Sequence, residues 1–173
     1  VGRQIQDGIY RNKGVGPEEI FLDPNGYTED GTTSLSGVSF TEDGSMIAYQ
    51  ISEGGSDWRK VIAMRTEDGA IIEDTLRDVK FSGLSWLGNE GFFYSSYDKP
   101  AEGSVLSGKT QQHKLYFHRL GTQQVEDELI FGGDDRIRRY VSGSVTRDQQ
   151  WLVITAAVST TGNEFYLMSL ADD

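Results

Sequence analysis

Val38-Ser39-Phe40, then Thr41-Glu42-Asp43-Gly44, then Met46-Ile47-Ala48-Tyr49-Gln50-Ile51 is the stretch from which the fold is read. A short strand pattern runs into a polar turn, whose Asp-Gly pair suits positive φ, and a longer apolar strand follows. The same succession returns as Leu84-Ser85-Trp86, Gly88-Asn89-Glu90-Gly91, Phe92-Phe93-Tyr94-Ser95. It returns again as Ser144-Val145-Thr146, Arg147-Asp148-Gln149-Gln150, Trp151-Leu152-Val153-Ile154. Each copy continues into a third strand rich in β-branched and aromatic residues, at 59–64, 114–118 and 164–168. The first two copies also predict a fourth strand, Ala70-Ile71-Ile72 and Glu128-Leu129-Ile130-Phe131.

Four sequential antiparallel strands recurring every ~40 to 50 residues mark the blades of a β-propeller, since the strands of a sandwich do not repeat as a unit. The chain is therefore expected to be all-β, a partial propeller of about two complete four-stranded blades and two partial ones. The units fall at about 1–33 (partial), 34–78, 79–133 and 138–173 (partial). Gly8-Ile9-Tyr10-Arg11 and Glu19-Ile20-Phe21-Leu22 read as the last two strands of an earlier blade. The second full unit is lengthened by an insertion over residues 98–112. Propellers close with at least four blades, so the chain is expected to be a fragment whose uncovered sheet faces promote self-association.

Composition narrows the function. The 27 acidic and 16 basic residues give a net charge of −11, which repels phosphate backbones and anionic lipid and argues against nucleic acid and membrane surfaces as partners. The absence of cysteine excludes disulfides, thiolate metal sites and a cysteine nucleophile. No run approaches the ~18 apolar residues of a membrane span, so a soluble protein is expected, in cytoplasm or periplasm alike. The opening Val1-Gly2-Arg3-Gln4 is neither a start methionine nor a signal peptide and reads as a start inside a longer sequence.

Several motifs invite chemistry and fail on context. Gly103-Ser104-Val105-Leu106-Ser107-Gly108-Lys109-Thr110 satisfies the phosphate-loop pattern, yet the residues after it alternate like a strand instead of opening a helix. It is read as an insertion loop. Gly54-Gly55-Ser56-Asp57-Trp58 approaches a nucleophile elbow but has Trp58 where the second glycine belongs, and reads as a turn. The Thr-Glu-Asp-Gly segments at 28–31, 41–44 and 66–69 lack the alternating ligands of a calcium loop. His113 and His118, five residues apart on or beside one strand, point to opposite faces and cannot share a metal, so they are read as surface or strand-edge histidines. No cofactor and no metal are expected, and no catalytic residue is assigned.

Taken in order, a longer series of segments resembles a known family. Phe21-Leu22-Asp23-Pro24-Asn25, Glu29-Asp30-Gly31-Thr32, Phe40 to Gly44 with Ala48-Tyr49, Gly55-Ser56-Asp57-Trp58, and Val79-Lys80-Phe81-Ser82 with Ser85-Trp86 are similar to landmarks of the prolyl oligopeptidase propeller. His113-Lys114-Leu115-Tyr116-Phe117-His118-Arg119-Leu120-Gly121-Thr122 and Glu126-Asp127-Glu128-Leu129 continue the series. The likeness is close over 18–131 and looser over the last forty residues. It implies a seven-bladed propeller that gates a separate α/β-hydrolase domain holding the Ser-Asp-His triad. This chain would then be early blades, non-catalytic alone, of a serine endopeptidase that cleaves short peptides after proline. Its partners would be short proline-containing peptides, the hydrolase domain and the remaining blades. By the same resemblance Phe81 lines the pocket for the substrate residue two before the proline, with a blade-core role as its alternative. Tyr140 and Thr160 occupy substrate-side places without matching the family's residues there. A relative cleaving after basic residues fits these motifs less well, and a stand-alone protein-binding propeller is the alternative from another class.

Overall fold

The computed structural model describes residues 6–12, 14–29, 31–73, 75–98, 112–133, 137–138, 140–159 and 162–171. Four antiparallel sheets follow one another along the chain, and every sheet pairs strands in sequence order. The first is the hairpin of β1 (Ile9–Arg11) and β2 (Glu19–Leu22). The second joins β3 (Ser34–Phe40), β4 (Met46–Ser52), β5 (Trp58–Arg65) and β6 (Leu76–Lys80). The third joins β7 (Leu84–Leu87), β8 (Gly91–Ser96), β9 (Lys114–Arg119) and β10 (Glu128–Phe131). The fourth holds β11 (Tyr140–Val145), β12 (Trp151–Ala157) and β13 (Glu164–Ser169). These are propeller blades, as the repeat predicts.

The core is layered between sheets. Ala48, Val61, Ala63 and Val79 of the second sheet meet Trp86, Phe92 and Tyr94 of the third. Phe93, Leu115, Phe117 and Phe131 of the third meet Val141, Leu152 and Ile154 of the fourth. Leu22 of the hairpin packs with Ile47, Tyr49, Ile51 and Met64. Both faces of the central strands are thus covered, which is why β4 and β8 read as continuous apolar runs instead of alternating. The layers approach closely: a Cβ on Gly143 of β11 would stand 2.8 Å from a methyl of Leu115.

One strand differs from its sequence reading. Ala70-Ile71-Ile72 contributes a single bridge, Ile71 to Met64, and the fourth strand of the second sheet is β6. Only Leu76 and Val79 of β6 are apolar, Asp78 bends the strand at φ 57, and the register slips between Arg59 and Val61. A strand so short, bulged and charged carries little period-two signal, but burial of Leu76 and Val79 in the shared core selects it.

Hydrogen bonds stitch the sheets together. Trp86 donates its indole N–H to the Ser39 carbonyl, and Gln124 brackets Arg77 by accepting from its amide and donating to its carbonyl. The strongest stitch is His118, expected at the surface but 1% exposed. Its Nδ1 lies 2.6 Å from Asp127 and its Nε2 2.9 Å from Glu73, so both nitrogens donate and the ring is a cation between two carboxylates. Asp127 also accepts from the Tyr94 hydroxyl, and Glu73 from the Gly121 amide. Burial alone would lower the histidine pKa, but the carboxylate hydrogen bonds outweigh it and push it up to about 9.

A pKa raised on folding stabilises fully below the unfolded value of 6.5, and the contribution fades as pH rises through about 9. A shift of this size corresponds to roughly 3 kcal/mol. Urea unfolding of the native chain and His118→Gln should therefore show a stability gap that is largest near pH 6 and shrinks steadily toward pH 9.5. A gap independent of pH contradicts the charged arrangement.

Candidate functional site

One rim of the layers is where β4 ends and β5 begins, β6 ends and β7 begins, β8 ends and β9 begins, and β11 begins. Phe81 sits on this rim, in the crossover from the outer strand β6 to β7, at φ 54. A phenylalanine in the left-handed region is strained by about 1 kcal/mol or more, and glycine would sit there freely. Strain of this kind persists only where neighbours over-determine the backbone.

The neighbours do so on each side of Phe81. His113 Nε2 is 2.9 Å from the Lys80 carbonyl, one residue before. Gln50 donates its side-chain amide to the Ser82 carbonyl, one residue after, at 3.0 Å. The Ser82 hydroxyl accepts from the Ser95 amide, and Ser96 donates to the Asp78 carbonyl. Strands β4 and β8 and the start of β9 therefore all grip the crossover.

His113, like His118, was expected at a surface or strand edge and is instead completely buried. Its Nδ1 accepts the Val141 amide at 2.8 Å, so its Nε2 carries the proton and donates to Lys80. Its own amide donates to the Arg138 carbonyl. Burial holds this ring below the ordinary histidine pKa, and it is the neutral tautomer that the two backbone partners require.

What this scaffold presents is a ring. Phe81 is 42% exposed and Tyr140 43%, although both are large and apolar. Their centroids lie 6.0 Å apart, edge to face, and Tyr97 approaches Phe81 from another side at 6.3 Å. Tyr97 in turn lies against His113, the two rings tilted with centroids 4.5 Å apart. Phe81 and Tyr140 share a cavity of about 370 Å³ with Val141, Ser142, Thr155 and Asn163. An open cavity with an aromatic wall and a few hydroxyl and amide groups suits an apolar side chain on a polar backbone, as in a peptide.

The structure thus brings together two of the three residues singled out for substrate contact, Phe81 and Tyr140, while Thr160 lies outside the described residues. So does the phosphate-loop pattern at 103–110. Gly54-Gly55-Ser56-Asp57 forms a turn between β4 and β5, with both glycines at positive φ. Among the described residues no cluster of histidines and carboxylates could hold a metal ion, and no helix is long and apolar enough to cross a membrane. A larger cavity, about 550 Å³, opens beside Tyr94, Tyr97, Asp98, Tyr116 and Asp127, but the Tyr94 hydroxyl and Asp127 there are bonded to one another. Sequence reading did not single out Tyr97, Lys80 or His113 as parts of the site. The His-x-Leu-x-Phe-His alternation placed His113 beside a strand but held no trace of its partners in the sheets on either side.

Comparison with known proteins places this geometry in context. Residues 2–173 match the family model of the prolyl oligopeptidase N-terminal β-propeller domain. A prolyl endopeptidase of Elizabethkingia miricola is 59% identical over 169 residues, which is 98% of this chain and 24% of that protein. Prolyl oligopeptidase A of Amanita bisporigera is 33% identical over 163 residues, 83% of this chain and 21% of that protein. Among solved structures, one from a study of two prolyl endopeptidases and their inter-domain dynamics superposes with a TM-score of 0.83 at 31% identity, covering 97% of this chain and 24% of its own. Prolyl oligopeptidase B of Galerina marginata shares the fold at a TM-score of 0.87 and 22% identity, over 99% of this chain and 26% of its own. The chain spans about a quarter of the length of these relatives.

Proposed function

The chain belongs to the prolyl oligopeptidase N-terminal β-propeller family, and from that premise we propose that it is the substrate-gating propeller portion of a serine endopeptidase that cleaves short peptides after proline. The relative 59% identical to it is a prolyl endopeptidase. The propeller is non-catalytic by itself. One observation carries this part: both histidines of the chain have both ring nitrogens committed, His113 to Lys80 and Val141, His118 to Asp127 and Glu73. Neither ring can take a proton from a serine, so the hydrolytic base belongs to a hydrolase domain acting with this chain.

The peptide contact we assign to the rim. Phe81 offers its ring to the side chain two residues before the proline, with Tyr140 beside it and Thr160 as a further substrate-side residue. The exposed strained aromatic supports this assignment, because packing alone would bury the ring and backbone preference alone would place glycine there. The remaining blades and the hydrolase domain are the other partners. On β13, Phe165 and Leu167 are each 68% exposed beside Trp151 and Val153 of β12, an apolar face through which the isolated chain associates with itself.

Hydrolysis of fluorogenic peptides with proline before the scissile bond, assayed with this chain and with its complete gene product, tests the reading: only the complete product should cleave. Cleavage by neither makes the chain a binding module. In the complete product, Phe81→Ala should raise KM about tenfold for peptides with a large apolar residue two before the proline, since such an aromatic contact contributes about 1.4 kcal/mol, and leave kcat within about twofold. An unchanged KM contradicts the assignment. Sedimentation of the isolated chain should show concentration-dependent association, and a single monomer at high concentration contradicts that surface.

A further inference from the structure

Phe81 is held by more than its backbone. Lys80 Nζ lies 5.1 Å from the centroid of the Phe81 ring and 5.1 Å from that of Trp58, so one ammonium sits against both faces. A third contact is Asp57, whose carboxylate is 3.8 Å away and itself largely exposed. The Lys80 side chain is only 13% exposed, unusual for a lysine, whose head normally reaches for water. Trp58 faces Lys80 across the β5–β6 pair, at the strand end where the rim begins. The Lys80 carbonyl is fixed separately by His113. Lys80 is therefore held at its backbone by the third sheet and at its head by the second, and the ring of the next residue rests on it.

We propose that Lys80 is a positioning residue for substrate recognition, its ammonium clamping the Phe81 ring against Trp58 so that the ring presents one face to the peptide. The proposal rests on the assignment of Phe81 as the contact for the residue two before the proline. An ammonium between two aromatic faces is attracted to both ring quadrupoles, and partial burial strengthens that attraction over its exposed value. Without it, the Tyr97 and Tyr140 rings still lie beside Phe81, but the cation that links the ring to Trp58 is gone. A loosened ring loses contact with a large apolar side chain and loses nothing with glycine, which never touches it. Lys80 thus acts on selectivity, through Phe81, and not on the chemical step.

The test uses the complete gene product and two fluorogenic peptides, Phe-Gly-Pro and Gly-Gly-Pro, which differ only at the residue two before the proline. Lys80→Met keeps the stem and removes the charge. It should lower kcat/KM for the phenylalanine peptide about five- to tenfold, through KM, and for the glycine peptide by less than twofold. Lys80→Arg, which restores a cation over the rings, should recover most of the preference. Equal losses for both peptides mean a merely structural lysine and overturn the proposal, as does Lys80→Arg behaving like Lys80→Met. Phe81→Ala separates the two levels. If it abolishes the preference while Lys80→Met leaves it intact, the contact stands and the clamp is wrong. If Phe81→Ala leaves the preference intact, the contact itself is refuted and the clamp with it.

Discussion

One buried, neutral imidazole ties three sheets at a single point. His113, at the entry to β9, donates to the carbonyl of Lys80 in β6 and accepts the amide of Val141 in β11. An imidazole in one fixed tautomer is both donor and acceptor along a line, which suits it to join two backbones that no ladder bond can reach. Removing it would leave a buried amide and a carbonyl without partners, each worth about 1–3 kcal/mol. The bonds of Trp86, Gln124 and His118 join the second and third sheets elsewhere, and much of the rest of the contact is side-chain packing, which slides more readily than hydrogen bonds. This ring fixes their relative height, and with it the crossover in which Phe81 is strained.

The two rims of the layers have different characters. At the rim opposite Phe81, turns of the second, third and fourth sheets bind one another: Asn89 donates to Asp43, the Gly88 amide to Gln149, and Arg147 to Glu42. The Asn89 hydrogen bond, with those of Ser45 and Thr41, holds the Asp43 carboxyl well below the usual range. Polar groups at that rim are largely spent on holding the layers together. At the Phe81 rim the hydrogen bonds run beneath the surface, and aromatic faces are left outward. A propeller that must hold its shape at one end and meet a peptide at the other would divide its residues in this way.

The sequence made the repeat legible because β4, β8 and β12 are long apolar strands beside turns with strong Asp and Gly signals, and β10 was placed to the residue. What escaped it depends on neighbours distant in the chain. β6 is defined by burial of two side chains between sheets, not by its own composition. The histidines look like surface residues until Glu73, Asp127, Lys80 and Val141 arrive around them. Phe81 was found through family resemblance, and nothing local in Val79-Lys80-Phe81-Ser82 announces a positive φ. Lys80 reads as an ordinary strand-end cation, and only the cross-strand register that sets Trp58 opposite it reveals its place.

Contact between peptide and the Phe81 rim is the decisive point. It is tested most directly by photo-crosslinking the complete gene product to a proline peptide carrying benzophenone in place of the residue two before the proline, with the adducts located by mass spectrometry. Adducts are expected at Phe81, Tyr97 or Tyr140. Adducts confined to the opposite rim, around Asp43, Asn89 and Arg147, or none on this chain while the peptide is still cleaved, would contradict it.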